Sequence, residues 1–163
     1  MKCMPKLKLS TKQKGVSSVV ALLSSVLFFA ILLLNKQNME NYVSKIVKQG
    51  NTVESNLSTE AKLDQLYNYS KNNKTFQFTF LELGAKGCSA CIRMEGVMDE
   101  VRKNHGEKIN VVFYNVLLPE NQEYMTFYGI ATIPTQIFLD NSGKEVFRHN
   151  GFISMKEIEN ILF

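Results

Sequence analysis

An α/β domain carried behind an apolar N-terminal helix is the fold class this sequence predicts, and three observations predict it. Strand-like and helix-like runs alternate from residue 58 to residue 163. A stretch of nineteen residues without a charge, residues 16–34, precedes them. Two cysteines spaced C-x-x-C, Cys88-Ser89-Ala90-Cys91, stand where a strand-like run gives way to a helix-like one.

Charge is unevenly placed. Residues 1–14 carry five lysines and no acid, residues 15–58 carry three lysines against two glutamates, and residues 59–163 carry eleven bases against thirteen acids. The net charge of +4 therefore belongs to the head, and the globular part has no basic patch of the kind nucleic acid requires. The head has a different use. A helix over residues 16–34, at about 1.5 Å per residue, approaches the roughly 30 Å of a bilayer's hydrocarbon core. Lysines before it stay on the cytoplasmic side, which places the C-terminal domain outside a cell membrane crossed once. The competing reading, a cleaved signal peptide, lacks its small-x-small site, because the run ends Leu32-Leu33-Leu34-Asn35-Lys36. The expected organisation is a basic cytoplasmic tail (1–14), a transmembrane anchor (15–35), a linker (36–57) and a folded domain (58–163). Cys3 precedes the anchor, so it cannot reach the other two cysteines; it is incidental or a palmitoylation site. Within the linker Met39, Tyr42, Val43, Ile46 and Val47 fall at three- and four-residue steps, but a plain spacer is the preferred expectation.

The domain's elements follow in order. Ser58 is suited to cap a helix carrying Leu63, Leu66 and Tyr67 on one face, ending near Asn72-Asn73-Lys74. Residues 76–83 form a strand with Phe76, Phe78, Phe80 and Glu82 on one side and Leu81 and Leu83 on the other. The helix after the cysteines buries Met94, Val97, Met98 and Val101 and stops at His105-Gly106, where glycine suits a left-handed cap. Residues 111–116 are a continuous apolar run, as expected of a central strand covered on both faces. A short helix over 120–128 follows. Strands over 135–139 and 145–149 are joined by the turn Asp140-Asn141-Ser142-Gly143. Ser154 caps a last helix that packs Ile158, Ile161 and Leu162 inward.

This order, with C-x-x-C after the first strand, resembles the thioredoxin superfamily. The resemblance spans residues 58–163. Gly129-Ile130-Ala131-Thr132-Ile133-Pro134-Thr135 is similar to the family's cis-proline loop, Gly151 to the glycine ahead of its last helix, and Glu82 to a buried acid before its active-site cysteines. The fold so implied is a central mixed sheet flanked by helices. The chain departs from the family at Gly87, where tryptophan is usual, at Ser89-Ala90 in place of Gly-Pro, and at Gly96 in place of a kinking proline. No lysine matches the one that neighbours the buried acid.

The chemistry follows from thiol physics. A helix N-terminus favours thiolate over thiol, so Cys88 is the expected nucleophile and Cys91, a turn further in, the resolving thiol; together they are the redox-active disulfide. Glu82, on a strand that should bury it, is the expected acceptor of the Cys91 proton. The resemblance implies a cis bond at Ile133-Pro134, with the Ile133 backbone, Pro134, Ser89 and Ala90 meeting the substrate chain. No second cysteine pair exists to complete a zinc site, and no metal or other cofactor is expected. Ser89-Ala90 brings no charge between the sulfurs, which points to a reductant of disulfides in exported proteins. A disulfide oxidase or isomerase and a cytochrome c maturation reductase are the alternatives. The expected partners are those substrates and a transmembrane electron donor, with the protein itself a monomer.

Overall fold

The computed structural model describes the backbone over residues 11–49 and 53–163, and side chains from residue 20 onward except 36–37, 40–41 and 49–55. The expectations for Cys3 and for the lysine-rich head lie outside the described residues. The chain divides into two units, Met1–Asn41 and Tyr42–Phe163.

The first unit holds α1 (Thr11–Leu34) and the start of α2 (Lys36–Gln49). Among the described residues no helix is long and apolar enough to cross a membrane. The described side chains of α1 begin at Val20, partway along the uncharged run, and its large apolar residues are exposed from Val20 to Leu34.

The second unit is a layered α/β structure. In chain order it contains α3 (Val53–Tyr67), α4 (Tyr69–Asn72), β1 (Phe78–Gly84), α5 (Ser89–His105) and β2 (Ile109–Asn115). A 3-10 turn (Pro119–Asn121), α6 (Gln122–Phe127), β3 (Thr135–Asp140), β4 (Glu145–Asn150) and α7 (Met155–Leu162) complete it. The strands form one mixed sheet in the order β2-β1-β3-β4, with β1 parallel to β2 and antiparallel to β3.

Period-two alternation sorts the core onto two faces. Leu81, Leu83, Ile137 and Leu139 face α3 and α6, where Leu63, Tyr67, Tyr128 and Ile130 meet them. Phe80 and Phe138 face α5 and α7, packing with Met94, Met98, Val101 and Ile158. The Phe80 and Phe138 rings stack with centroids 4.8 Å apart. Ser154 and Glu157 form a reciprocal capping box at the start of α7.

Several expectations are corrected. α3 begins at Val53 rather than at a Ser58 cap, because no glycine or proline interrupts residues 53–58. Leu66 and Ile161 are exposed: the inward stripes run at four-residue steps through buried Thr59, Leu63 and Tyr67 and through buried Ile158 and half-buried Leu162, and a three-residue step falls on their flank. Phe76 stands ahead of β1 and packs on Tyr69 at 5.3 Å, in the α3-side core. Gly106 is right-handed, with φ −60°; a Cβ there would collide with the Arg102 carbonyl, so close approach and not a left-handed turn explains it.

β2 is an edge strand, not a central one. Helices cover both its faces, which accounts for its unbroken apolar run. Among the described residues no strand pairs with its outer side, and Val111 to Asn115 are only half-buried. The segment expected as a spacer contains α2, whose second half belongs to the domain. Arg148 Nη1 donates to Ser44 Oγ at 3.3 Å, and Gly129, at φ 64°, lies so near α2 that a Cβ would collide with the Ser44 carbonyl.

Candidate active site

The site is assembled where β1 ends. Strand β1 is buried from Thr79 to Gly84, paired on one side with β2 and on the other with β3. After it the chain turns through Ala85 and Gly87 to Cys88, the N-cap of α5, with extended φ −75° and ψ 123°. The Cys88 carbonyl accepts the first helical bond from Ile92 N at 3.0 Å, and Cys91 N donates to Cys88 Sγ at 3.4 Å. A sulfur thus takes the capping place that a serine or aspartate oxygen usually fills.

The two thiols occupy different environments. Cys88 is partly exposed, whereas Cys91 is 3% exposed. The Cys91 side chain and then its backbone N–H hold the Cys88 thiol below its ordinary range. Burial, reinforced by Cys88, pushes Cys91 up to about 11. Cys88 thus stands on the outer side of the pair and Cys91 on the inner. Ser89 is exposed and Ala90 half-buried between them.

Cys91 sits over the end of β1: a Cβ on Gly84 would lie 3.3 Å from its Sγ. Glu82 precedes Gly84 on the same face, one pleat repeat (about 7 Å) along the strand. It is completely buried, and burial pushes its carboxyl up to about 8 against the opposing effect of a hydrogen bond from Gln136. Gln136 Nε2 donates to Glu82 Oε2 at 3.0 Å, and the two residues are direct cross-strand partners. On the β2 side Glu82 stands opposite Phe113.

The Ile133-Pro134 bond is cis. Thr135 pairs with Leu83, so Pro134 enters the sheet beside the end of β1, where Cys91 lies. Pro134 is buried, Ile133 half-buried and Thr132 exposed. The loop is pinned from both sides. Gly151 N donates to the Pro134 carbonyl at 2.8 Å, and Thr135 Oγ1 lies 2.7 Å from the Thr132 carbonyl and from Asn150 Oδ1. The Arg93 guanidinium sits 4.9 Å from the centre of the exposed Phe152 ring, tying α5 to the loop after Gly151.

Sequence reasoning missed Gln136. The available signal was a glutamine two residues after Pro134 in a run, Ile137-Phe138-Leu139, that is otherwise apolar. Its pairing with Glu82 needed the β1–β3 register. His105 and His149 lie apart from the thiols, on Glu159 Oε1 at 2.9 Å and on the Phe152 carbonyl at 3.0 Å.

The raised Glu82 carboxyl has a consequence for stability. Between its ordinary 4.5 and about 8 the folded protein holds a proton that the unfolded chain has released. The native state binds more protons, so stability falls as pH rises through that window. Thermal melts of the reduced protein between pH 5 and 9 are expected to decline, by an amount on the order of a few kcal/mol, and Glu82→Gln to flatten the decline. Parallel pH curves for both proteins would refute a buried, proton-holding Glu82.

Comparison with known proteins agrees with this architecture. The Fasciola hepatica thioredoxin structure superposes with a TM-score of 0.51 at 24% identity, covering 63% of this chain and 90% of that one, which shows the fold. Thioredoxin-2 of the malaria parasite, described as a component of its protein secretion machinery, aligns at 24% identity and a TM-score of 0.48. It covers 53% of this chain and 81% of its own. No curated protein matches the chain significantly. The sequence profile of the thioredoxin-like domain matches residues 63–163, the stretch that holds the C-x-x-C pair, and the chain belongs to that family.

Proposed function

We propose that this protein is a thiol–disulfide oxidoreductase that reduces disulfides in exported proteins. The observation that carries the proposal is the unequal pair: a partly exposed Cys88 held toward thiolate, and a buried Cys91 held as thiol beside a buried carboxyl. The Cys88 thiolate attacks a substrate disulfide, forming a mixed disulfide and expelling one substrate thiolate. Cys91 gives its proton to Glu82 and attacks Cys88 Sγ. The Cys88–Cys91 disulfide forms, the second substrate thiolate leaves, and two electrons have passed to the substrate. The backbone of Ile133 beside Pro134, with Ser89 and Ala90, offers the surface on which an extended substrate chain lies. Direction rests on Ser89-Ala90, which adds no cation or imidazole to stabilise the thiolate. A less stabilised thiolate is a better reductant. An oxidase or isomerase is the second reading, and cytochrome c maturation a narrower form of the first.

The domain works outside the cell membrane on a retained anchor, as a monomer recharged by a transmembrane electron donor. Three features support this location: five lysines ahead of the uncharged run 16–34, the exposed apolar side chains of α1 from Val20 to Leu34, and the lack of a small-x-small site after them.

Three experiments test these statements. Cys88→Ser is expected to abolish disulfide reduction, Cys91→Ser to trap a mixed disulfide, and limiting alkylation to label Cys88 first; labelling of Cys91 first reverses the roles. Equilibration with glutathione buffers is expected to give a potential nearer roughly −270 mV than −120 mV, whereas a value above about −180 mV promotes the isomerase reading. Protease applied to spheroplasts is expected to digest the domain while intact cells retain the protein in their membrane fraction. A soluble form starting near residue 36 removes the anchor from the proposal.

A further inference from the structure

We propose that Gln136 is a positioning residue for the proton transfer, holding the Glu82 carboxyl by one oxygen so that the other is free to receive the proton of Cys91. The inference deepens the proposed function and rests on it. Glu82 and Gln136 are both wholly buried and directly opposite in the β1–β3 register, and Gln136 Nε2 donates to Glu82 Oε2 at 3.0 Å. Among the described residues Glu82 Oε1 has no hydrogen-bond partner, although it is buried, and neither has Gln136 Oε1. A buried carboxylate oxygen without a partner is costly, and here it belongs to the residue two positions before Gly84, on the same face of β1, and Cys91 Sγ lies against Gly84.

The groups around Glu82 leave this task to the amide. Phe113 faces it from β2, and Gln136 from β3. The thiols of α5, Cys88 and Cys91, are the ionisable groups that sense its charge. Beyond Gln136 in the same register stands His149 of β4, whose Nε2 is engaged with the Phe152 carbonyl. Among the described residues no lysine or arginine is hydrogen-bonded to the Glu82 carboxyl; burial raises its proton affinity and the Gln136 hydrogen bond opposes that rise. An amide suits the task physically. It stabilises the carboxylate by a hydrogen bond, keeping the acid within reach of neutral pH, and it adds no full charge that would hold the proton off altogether.

The balance is a single proton moved. The S–H bond of Cys91 breaks and an O–H bond forms on Glu82 Oε1. The Cys91 electron pair forms the bond to Cys88 Sγ as the sulfur bond from Cys88 to the substrate breaks.

Ellman's reagent separates the steps in the full-length protein with Cys3→Ser as the background of every form below, which removes the third thiol: the first thionitrobenzoate released then reports attack by Cys88 and the second reports resolution by Cys91. In the wild type the second phase is expected to accelerate with pH around a midpoint near 8. In Gln136→Leu, and in Gln136→Met as a flexible alternative should leucine impair folding, the midpoint is expected to move up by about one pH unit. The second phase at pH 7 then slows about tenfold, by loss of a charge-assisted hydrogen bond. Adding Gln136→Leu to Glu82→Gln is expected to change the second phase no further. A folded Gln136 variant with the wild-type midpoint, or an undiminished effect in the Glu82→Gln background, overturns the inference while leaving the function intact. A wild type that never releases the second thionitrobenzoate overturns the function itself, and this inference with it.

Discussion

Strand β1 is the constraint on which the site depends. It is the strand with a partner on each edge that ends beneath the cysteines, parallel to β2 and antiparallel to β3. Its face toward α5 carries Phe80, Glu82 and Gly84 in succession, which commits one polar residue to the apolar side of the sheet. Moving the register by one residue would bring Leu81 and Leu83 to that face and send Glu82 to the other core. The packing of Phe80 on Phe138 therefore sets where the acid stands relative to Cys91.

Electrostatics at the site comes from unequal access to solvent. Cys88 sits at a helix terminus with the Cys91 N–H aimed at its sulfur, while Cys91 and Glu82 lie inside. Burial disfavours charge on both inner groups, so at neutral pH each mostly retains its proton. One inner group can ionise more readily than two, because their negative charges repel. The Glu82 carboxyl accordingly gives up its proton only as pH approaches 8.

The glycines and the small loop residues make the contact surfaces possible. Gly84 leaves room for the Cys91 sulfur, and Gly129 leaves room for the Ser44 carbonyl of α2. Hydrogen bonds from Gly151 and Thr135 fix the loop that carries Ile133 and Pro134. The surface around Cys88 is thereby framed by short, pinned segments.

The sequence by itself determined the order of elements, the placement of Cys88 at a helix start, the alternation that carries Glu82 and the loop before Thr135. These are local properties, set by spacing, capping and side-chain period. Tertiary structure decided the rest. That residues 111–115 form an edge strand depends on which strands exist to pair with them, and apolar runs look alike at an edge and at a centre when helices cover both faces. That α3 begins at Val53 and that Ser44 meets Arg148 depend on packing across many residues. The partnership of Glu82 with Gln136 joins two strands distant in sequence. Only the antiparallel register brings the two side chains face to face, and neither residue's neighbours along the chain announce the other.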